Sequence, residues 1–248
     1  MARVVLTQPL PRVEALAGTL SAHGHDVATL AFTRVRSLRV ELLEARIAAF
    51  DWVVAVSPAA LDELAVALAR RWPARGPGLA LIGPGSVATL ERLGWEVPPD
   101  RVLVPSGPPF DAAALLRTAP LSRPSSLRVL VVRGDTGRED WIEALRRDGA
   151  LVDVMALYER EPVVPDSGAL AQLGRWRSSP MPVFCLFTQA GSAAALCALP
   201  EAAGLVGVQG QGIALAIHGR IADAARAVGF HHVRLIEPGE EAILAALE

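Results

Sequence analysis

Lysine and asparagine are absent from this chain of 248 residues, and tyrosine occurs once, as Tyr158. All 24 basic residues are therefore arginine. Without a lysine the protein cannot form a Schiff base with a carbonyl substrate or pyridoxal phosphate, and it cannot contain the lysine of a phosphate-binding P-loop. The formal net charge of -2 argues against a nucleic-acid-binding surface, which requires a clustered excess of basic residues. Binding of anionic ligands would therefore depend on arginine, hydroxyl groups and backbone N–H groups.

Cysteine and histidine are also sparse. Cys185 and Cys197 lie in apolar or alanine-rich stretches, where a buried small side chain is the simplest interpretation. The five histidines show no ligand spacing with nearby carboxylates. We therefore predict no metal site and no cofactor.

Long apolar segments are missing as well. No stretch approaches the ~20 residues of a membrane-spanning helix. The first residues enter a predicted strand almost at once and lack the apolar segment of a signal peptide. No coiled-coil heptads are found. We predict a cytoplasmic monomer that binds neither nucleic acid nor membranes.

Short β-branched runs alternate with amphipathic helical segments, such as Arg12–His23, along the whole chain. The runs are continuously apolar, as expected of parallel strands covered on both faces. This alternation predicts a doubly wound α/β fold, and ten strands are too many for one typical sheet, which favours two domains. The predicted strands are Val4–Thr7, Val27–Phe32, Trp52–Val56, Leu79–Ile82, Val102–Val104, Val129–Val132, Val152–Leu157, Val183–Thr188, Ile213–Ile217 and Val233–Leu235.

An internal duplication supports two similar halves. The segment that begins at Arg3 and reaches Gly24 recurs from Arg128 to Gly149, an offset of 125 residues (128 minus 3). Weaker sequence similarities pair the strand that starts near Val53 with the strand near Phe184. The strand near Ala80 is similarly paired with the strand near Leu215. The duplication alone would divide the chain near residue 123, beside a stretch rich in proline and serine.

Candidate binding residues follow the strands. In open parallel sheets, ligands bind beyond the carboxyl ends of the strands, beside free N–H groups of the following helices. Capping of a helix explains any one of the hydroxyl residues alone, whereas their repetition favours a site for anionic groups. Arg133 and Arg138 flank a glycine-containing turn suited to clamping a carboxylate or phosphate; a solvated position is the alternative for Arg138. The candidates are Thr7, Arg12, Ser57, Ala59, Gly83, Ser86, Arg133, Gly134, Arg138, Thr188, Gly191 and Ser192.

Motifs of conventional catalysis are not found. The Gly83–Ser86 segment does not fit a dinucleotide-binding loop, Arg133–Arg138 is not a P-loop, and no nucleophile elbow is present. An enzyme of this sequence would work by positioning and a weak acid or base. Tyr158, at the end of a predicted strand, is the best proton-donor candidate, although it could also simply anchor a linker.

The order and spacing of several segments resemble the uroporphyrinogen-III synthase family over essentially the whole chain. The matching segments are Val5–Pro9, Phe50–Ala60, Ile82–Ser86, Leu130–Glu139, Val154–Tyr158, Phe187–Ser192 and Gly229–Phe230. The resemblance implies two flavodoxin-like, doubly wound parallel-sheet domains joined by a two-stranded linker. We expect residues 1–32 with 162–248 to form one domain, residues 36–157 an inserted domain, and residues 33–35 and 158–161 the linkers.

The resemblance also implies a reaction without a cofactor. Hydroxymethylbilane would lose water, form an electrophilic azafulvene, and close through a spiro intermediate with inversion of the last pyrrole ring. Tyr158 would take the place of the family tyrosine that is proposed to assist departure of the hydroxyl. The family context further implies transient contact with the preceding enzyme of the pathway.

Two departures from the family pattern bear on substrate contacts. Gln8 stands where the family often has arginine, and Ile221 stands where it has a hydroxyl residue. For the departure at Ile221, we expect either that His218, which joins the candidate binding residues, or Arg220 compensates, or that the site is altered. A non-catalytic two-domain protein that binds a polyanionic small molecule is the main alternative, because fold does not determine function; a different lyase or transferase is a third.

Overall fold

A computed structural model describes residues 1–40, 44–178 and 180–248. Its strands are β1 Arg3–Leu6, β2 Asp26–Thr29, β3 Thr33–Ser37, β4 Trp52–Ala55, β5 Gly78–Leu81, β6 Val102–Leu103, β7 Arg128–Gly134, β8 Leu151–Pro162, β9 Val183–Phe187, β10 Gly212–Ala216 and β11 His232–Leu235. Its α-helices are α1 Arg12–Ala22, α2 Glu44–Ile47, α3 Pro58–Ala67, α4 Pro84–Leu93, α5 Ala112–Leu116, α6 Asp140–Arg147, α7 Ser167–Trp176, α8 Ala190–Cys197, α9 Gly219–Ala227 and α10 Glu240–Ala245.

The chain divides into two compact units. Unit 1 comprises Met1–Val35 and Glu161–Glu248, and unit 2 comprises Arg36–Arg160. The chain passes from one unit to the other within β3 and within β8. The domain and linker bounds expected from the sequence stay a prediction.

Unit 1 contains a five-stranded parallel sheet in the order β2-β1-β9-β10-β11. Successive residues of β1 face opposite sides, so Val5 joins one apolar core with Phe187, while Val4 and Leu6 join another on the opposite face. Burial within the first core raises the pKa of the Cys185 thiol, so the thiol keeps its proton and stays uncharged. This agrees with its interpretation as a small apolar side chain. The continuous apolar runs therefore do reflect strands covered on both faces.

Unit 2 contains a six-stranded sheet in the order β3-β8-β7-β4-β5-β6. The pairs from β8 to β6 are parallel. Read from β8, the order β8-β7-β4-β5-β6 repeats the order of unit 1, with β7 and β8 in the places of β1 and β2. Both sheets thus have the 2-1-3-4-5 order of flavodoxin-like folds, and the predicted fold class is confirmed.

The predicted strands all have counterparts whose bounds differ by up to three residues, apart from two larger differences. β3 was not predicted as a strand, and β8 continues five residues beyond the predicted end at Leu157, to Pro162. The sequence of β3 is Thr-Arg-Val-Arg-Ser, and its burial alternates, unlike that of the covered central strands. Tyr158 consequently lies inside a strand.

Among the described residues, no helix is long and apolar enough to cross a membrane. Within the same residues, no group of three or more histidine, cysteine, aspartate or glutamate residues could hold a metal ion.

Candidate active site

The carboxyl ends of the parallel strands of unit 2 bring several predicted site residues to one edge of its sheet. Ser57 follows β4, Gly83 follows β5, and Gly134 ends β7, where it is paired with Tyr158 of β8. A register shift between Arg133 and Gly134 marks an irregularity at this end of the ladder. Such irregularities redirect side chains near functional sites.

Tyr158 is the central residue of this edge. It is only 1% exposed, and its hydroxyl lies 3.2 Å from Oγ of Ser57. Because β7 lies between β8 and β4, the phenol ring must extend across β7 to reach Ser57. The ring therefore lies over the carboxyl end of β7, between β8 and β4.

Gly134 leaves the space through which the ring extends. A Cβ atom at this position would lie 2.9 Å from Cε2 and 3.0 Å from Cζ of Tyr158. These distances are well inside normal carbon–carbon contact, so any larger residue would displace the ring. The sequence predicted Gly134 as a substrate-binding residue; the structure adds this packing role.

Ser57 has a second role as the cap of α3. Its Oγ accepts a hydrogen bond of 3.1 Å from the backbone N–H of Ala60, and Pro58 occupies the first helical position. Capping was the simplest explanation of Ser57 from sequence. The contact with Tyr158 shows that capping is not its only interaction.

Arg160 approaches the same phenol from two residues further along β8. Its Nη2 donates to the Tyr158 hydroxyl oxygen at 3.4 Å, and its guanidinium carbon lies 5.5 Å from the centroid of the ring. Arg160 itself is exposed. A permanent positive charge thus stands beside the buried phenol.

Arg133 is a buried residue near the end of β7, and its side chain contacts the loop that follows. Its Nε donates to the Gly134 carbonyl at 3.2 Å, and Nη1 lies 3.5 Å from both the Arg138 carbonyl and the Glu139 carboxylate. Gly137 has φ +149°, and a Cβ there would lie 2.6 Å from Arg133 Nη2. The guanidinium thus organises the loop, and direct binding of a substrate by Arg133 stays a prediction.

Arg138 is exposed and forms a two-pronged ion pair with Asp140 at the start of α6. The hydrogen bond from Arg138 lowers the pKa of the Asp140 carboxyl. An arginine in this exposed position can exchange its carboxylate partner for a ligand at small cost, because exposed pairs contribute little stability.

Three further predicted residues surround the starts of α3 and α4. Gly83 precedes α4, and a Cβ there would lie 2.9 Å from Cβ of Phe110. Ser86 is buried at 2% exposure, and Ala59 is half-buried in the first turn of α3. The close packing against Phe110 is enough to explain why residue 83 is a glycine, even if it contacts no ligand.

The corresponding edge of unit 1 holds the other predicted residues. Thr7 is buried and its hydroxyl donates to the Leu186 carbonyl at 2.9 Å, which links β1 to β9. Arg12 is the half-buried first residue of α1. Near the start of α8, Thr188 is half-buried and Gly191 is exposed with open space around it, whereas Ser192 is buried.

The two departures from the family pattern also lie in unit 1. His218 caps α9, with Nδ1 accepting from the Arg220 N–H at 3.1 Å, so its other nitrogen carries the proton. The Nε2 atom of His218 and the Oε1 atom of Gln8 are both buried. Neither has a hydrogen-bond partner within the described part of the chain. Ile221 joins the apolar core beside α8, which explains its apolar side chain.

A family model described as uroporphyrinogen-III synthase HemD matches residues 14–245. The chain belongs to the uroporphyrinogen-III synthase family. This confirms the resemblance drawn from the sequence. The comparison with curated proteins gives no match.

Solved structures agree with the fold. A mutant uroporphyrinogen III synthase from Thermus thermophilus is 17% identical, with a TM-score of 0.54 over 99% of this chain and 97% of that chain. The uroporphyrinogen-III synthetase from Helicobacter pylori is 15% identical, with a TM-score of 0.54 over 99% and 98% of the two chains. At these identities the likeness describes the fold alone.

One residue of this family member was missed by the sequence reasoning. Arg160 falls in the segment 158–161, which was expected to be a linker. The signal that could have identified it is the period of a strand: residues 158 and 160 point to the same face.

Proposed function

We propose that this chain converts hydroxymethylbilane to uroporphyrinogen III by dehydrative cyclisation with inversion of ring D, a step of tetrapyrrole biosynthesis. The observation that carries the proposal is the family match over residues 14–245. The geometry of unit 2 adds a phenol held in place at the sheet edge where α/β proteins bind ligands.

Tyr158 is the proposed general acid. Its hydroxyl gives a proton to the hydroxymethyl group of the substrate, whose C–O bond breaks as water leaves. The pyrrole nitrogen supplies the electron pair that forms the azafulvene, and ring D attacks to give the spiro intermediate. No cofactor takes part in this scheme.

The substrate carries acetate and propionate groups on each pyrrole, so its binding requires many donors. We assign these contacts to the residues predicted from sequence, and Arg133 is one of them. The positively polarised starts of α3, α4, α8 and α9 add backbone donors. The other proposed contacts are Thr7, Arg12, Ser57, Ala59, Gly83, Ser86, Gly134, Arg138, Thr188, Gly191, Ser192 and His218.

We further propose that the protein acts as a cytoplasmic monomer with only transient contact to the enzyme that supplies its unstable substrate. The proposed activity requires neither a nucleic acid nor a membrane. Size-exclusion chromatography with light scattering tests the monomeric state, and we expect the mass of a monomer.

The decisive experiment supplies hydroxymethylbilane generated enzymatically in the same vessel. The porphyrinogens are oxidised and their isomers separated by chromatography. We expect isomer III in excess over isomer I, which forms spontaneously. Formation of isomer I alone would exclude the synthase activity and favour the alternative of a binding protein for a polyanionic molecule.

A further inference from the structure

The oxygen of Tyr158 has two neighbouring groups that can donate hydrogen bonds, the Ser57 hydroxyl at 3.2 Å and Arg160 Nη2 at 3.4 Å. We propose that Ser57 and Arg160 are positioning residues that stabilise the Tyr158 phenolate formed when the phenol gives up its proton. This inference rests on the proposed function, in which Tyr158 is the acid. It assigns to Arg160 a role that the family match does not supply.

Hydrogen-bond accounting at Ser57 allows its hydroxyl to donate to Tyr158, since either of the two hydroxyl groups can be the donor. Its oxygen already accepts from the Ala60 N–H at 3.1 Å, and its single proton is free to be donated. When Ser57 donates to Tyr158, the phenol's own proton is not consumed within the protein. It is then available to the hydroxyl of the substrate.

Arg160 can act in one direction only. A guanidinium has no acceptor and stays charged, so its contact with the phenol oxygen is always a donated bond. Its charge interacts weakly with a neutral phenol and strongly with a phenolate. An interaction that strengthens as charge develops lowers the barrier, whereas one that is equal in both states only tightens binding.

The proton-transfer step balances with groups already named. The O–H bond of Tyr158 breaks, its proton goes to the hydroxyl of the substrate, and the C–O electron pair leaves with water. The protonated azafulvene carries the positive charge and Tyr158 the negative charge, next to Arg160. When the closed macrocycle loses its final proton, that proton restores the phenol.

Direct contact between Arg160 and a substrate carboxylate is the competing role, and a double-mutant cycle separates the two. A residue that acts through Tyr158 loses its effect once the phenol is gone, whereas a residue that binds substrate retains it. The cycle combines Arg160→Gln and Ser57→Ala, each alone and each with Tyr158→Phe. Isomer III formation from enzymatically generated hydroxymethylbilane gives kcat and KM for every variant.

We expect each single variant to lower kcat about tenfold, near the lower end for a hydrogen bond to a charged group, with KM unchanged in Arg160→Gln. In the Tyr158→Phe background neither substitution should lower kcat further. An equal loss of rate in that background, or a rise in KM as the main effect of Arg160→Gln, would overturn the inference. Failure of the proposed function differs from both, because the unmodified protein would then yield isomer I alone.

Matched variants guard against a general loss of structure. Ser57→Thr keeps both the cap and the donor and should restore the rate that Ser57→Ala loses. Arg160→Lys keeps the charge and should retain more activity than Arg160→Gln. Arg123→Gln removes an exposed arginine elsewhere in unit 2 and should leave kcat unchanged. Circular dichroism of each variant verifies that it is folded.

Discussion

At the scale of single residues, Tyr158 can be tested with little disturbance of its surroundings. Tyr158→Phe keeps the buried ring over Gly134 and removes only the hydroxyl that contacts Ser57 and Arg160. We expect the rate of isomer III formation to fall by about 10²–10⁴, the usual contribution of one well-placed acid. Turnover close to that of the unmodified protein would contradict the role of Tyr158 as the acid.

Gly134 gives a second prediction at this scale. In Gly134→Ala the new methyl group meets the Tyr158 ring at 2.9 Å, so the ring must move away from Ser57. We expect kcat to fall and the free energy of unfolding to drop by about 1–3 kcal/mol, as in other overpacked cores. Urea denaturation and the isomer assay measure the two effects.

The matched control is Gly18→Ala in α1, where nothing lies within 4 Å of the added Cβ. There the substitution should raise the free energy of unfolding by roughly 0.5–1 kcal/mol, because alanine suits a helix better than glycine. If Gly134→Ala left both the rate and the free energy of unfolding unchanged, the position of the Tyr158 ring would not require a glycine at residue 134.

At the scale of elements, helix caps make separable contributions. Asp166 caps α7, and its Oδ1 accepts from the N–H groups of Gly168 at 2.9 Å and Ala169 at 3.0 Å. Asp166→Ala should lower the free energy of unfolding by about 1 kcal/mol, whereas Asp166→Asn should retain most of the cap. Urea denaturation compares the two variants, and equal losses from both would indicate that the charge matters and the cap does not.

Most elements could be predicted from sequence because central parallel strands are apolar on both faces. β3 lacks that pattern, since Arg34 and Arg36 alternate with residues of intermediate burial. The extension of β8 beyond Leu157 was missed for a similar reason: Glu159, Arg160 and Glu161 resemble a solvated linker. Edge strands and strand ends carry a weaker apolar signal than strands inside a sheet.

The candidate site was predictable in position but not in detail. Parallel topology places Ser57, Gly134 and Tyr158 at one edge, and sequence reasoning identified all three. That the ring of Tyr158 extends over Gly134 depends on the register of β7 and β8, which no local pattern reveals. The burial of Arg133, unusual for an arginine, likewise depends on the fold of the loop that follows β7.

At the scale of the whole molecule, the two sheets take their strands from both halves of the duplicated sequence. β1 and β2 pair with β9 to β11, whereas β7 and β8 pair with β4 to β6. A fragment of residues 36–160 contains nearly all of one sheet, and a fragment of residues 1–123 contains parts of two. We expect only the former to unfold cooperatively in urea, as followed by circular dichroism; cooperative unfolding of residues 1–123 would contradict this.

The same exchange of strands dictates an order of events during synthesis. β1 reaches its complete pairing only after Val183 has been made, which at about 5–20 residues per second takes the ribosome roughly 10–35 s after Leu6. Unit 2 is by then fully synthesised. Until β9 emerges, one side of the apolar β1 is an open edge of the kind that templates aggregation. We therefore expect the earliest part of the nascent chain to benefit from a chaperone until β9 has been made.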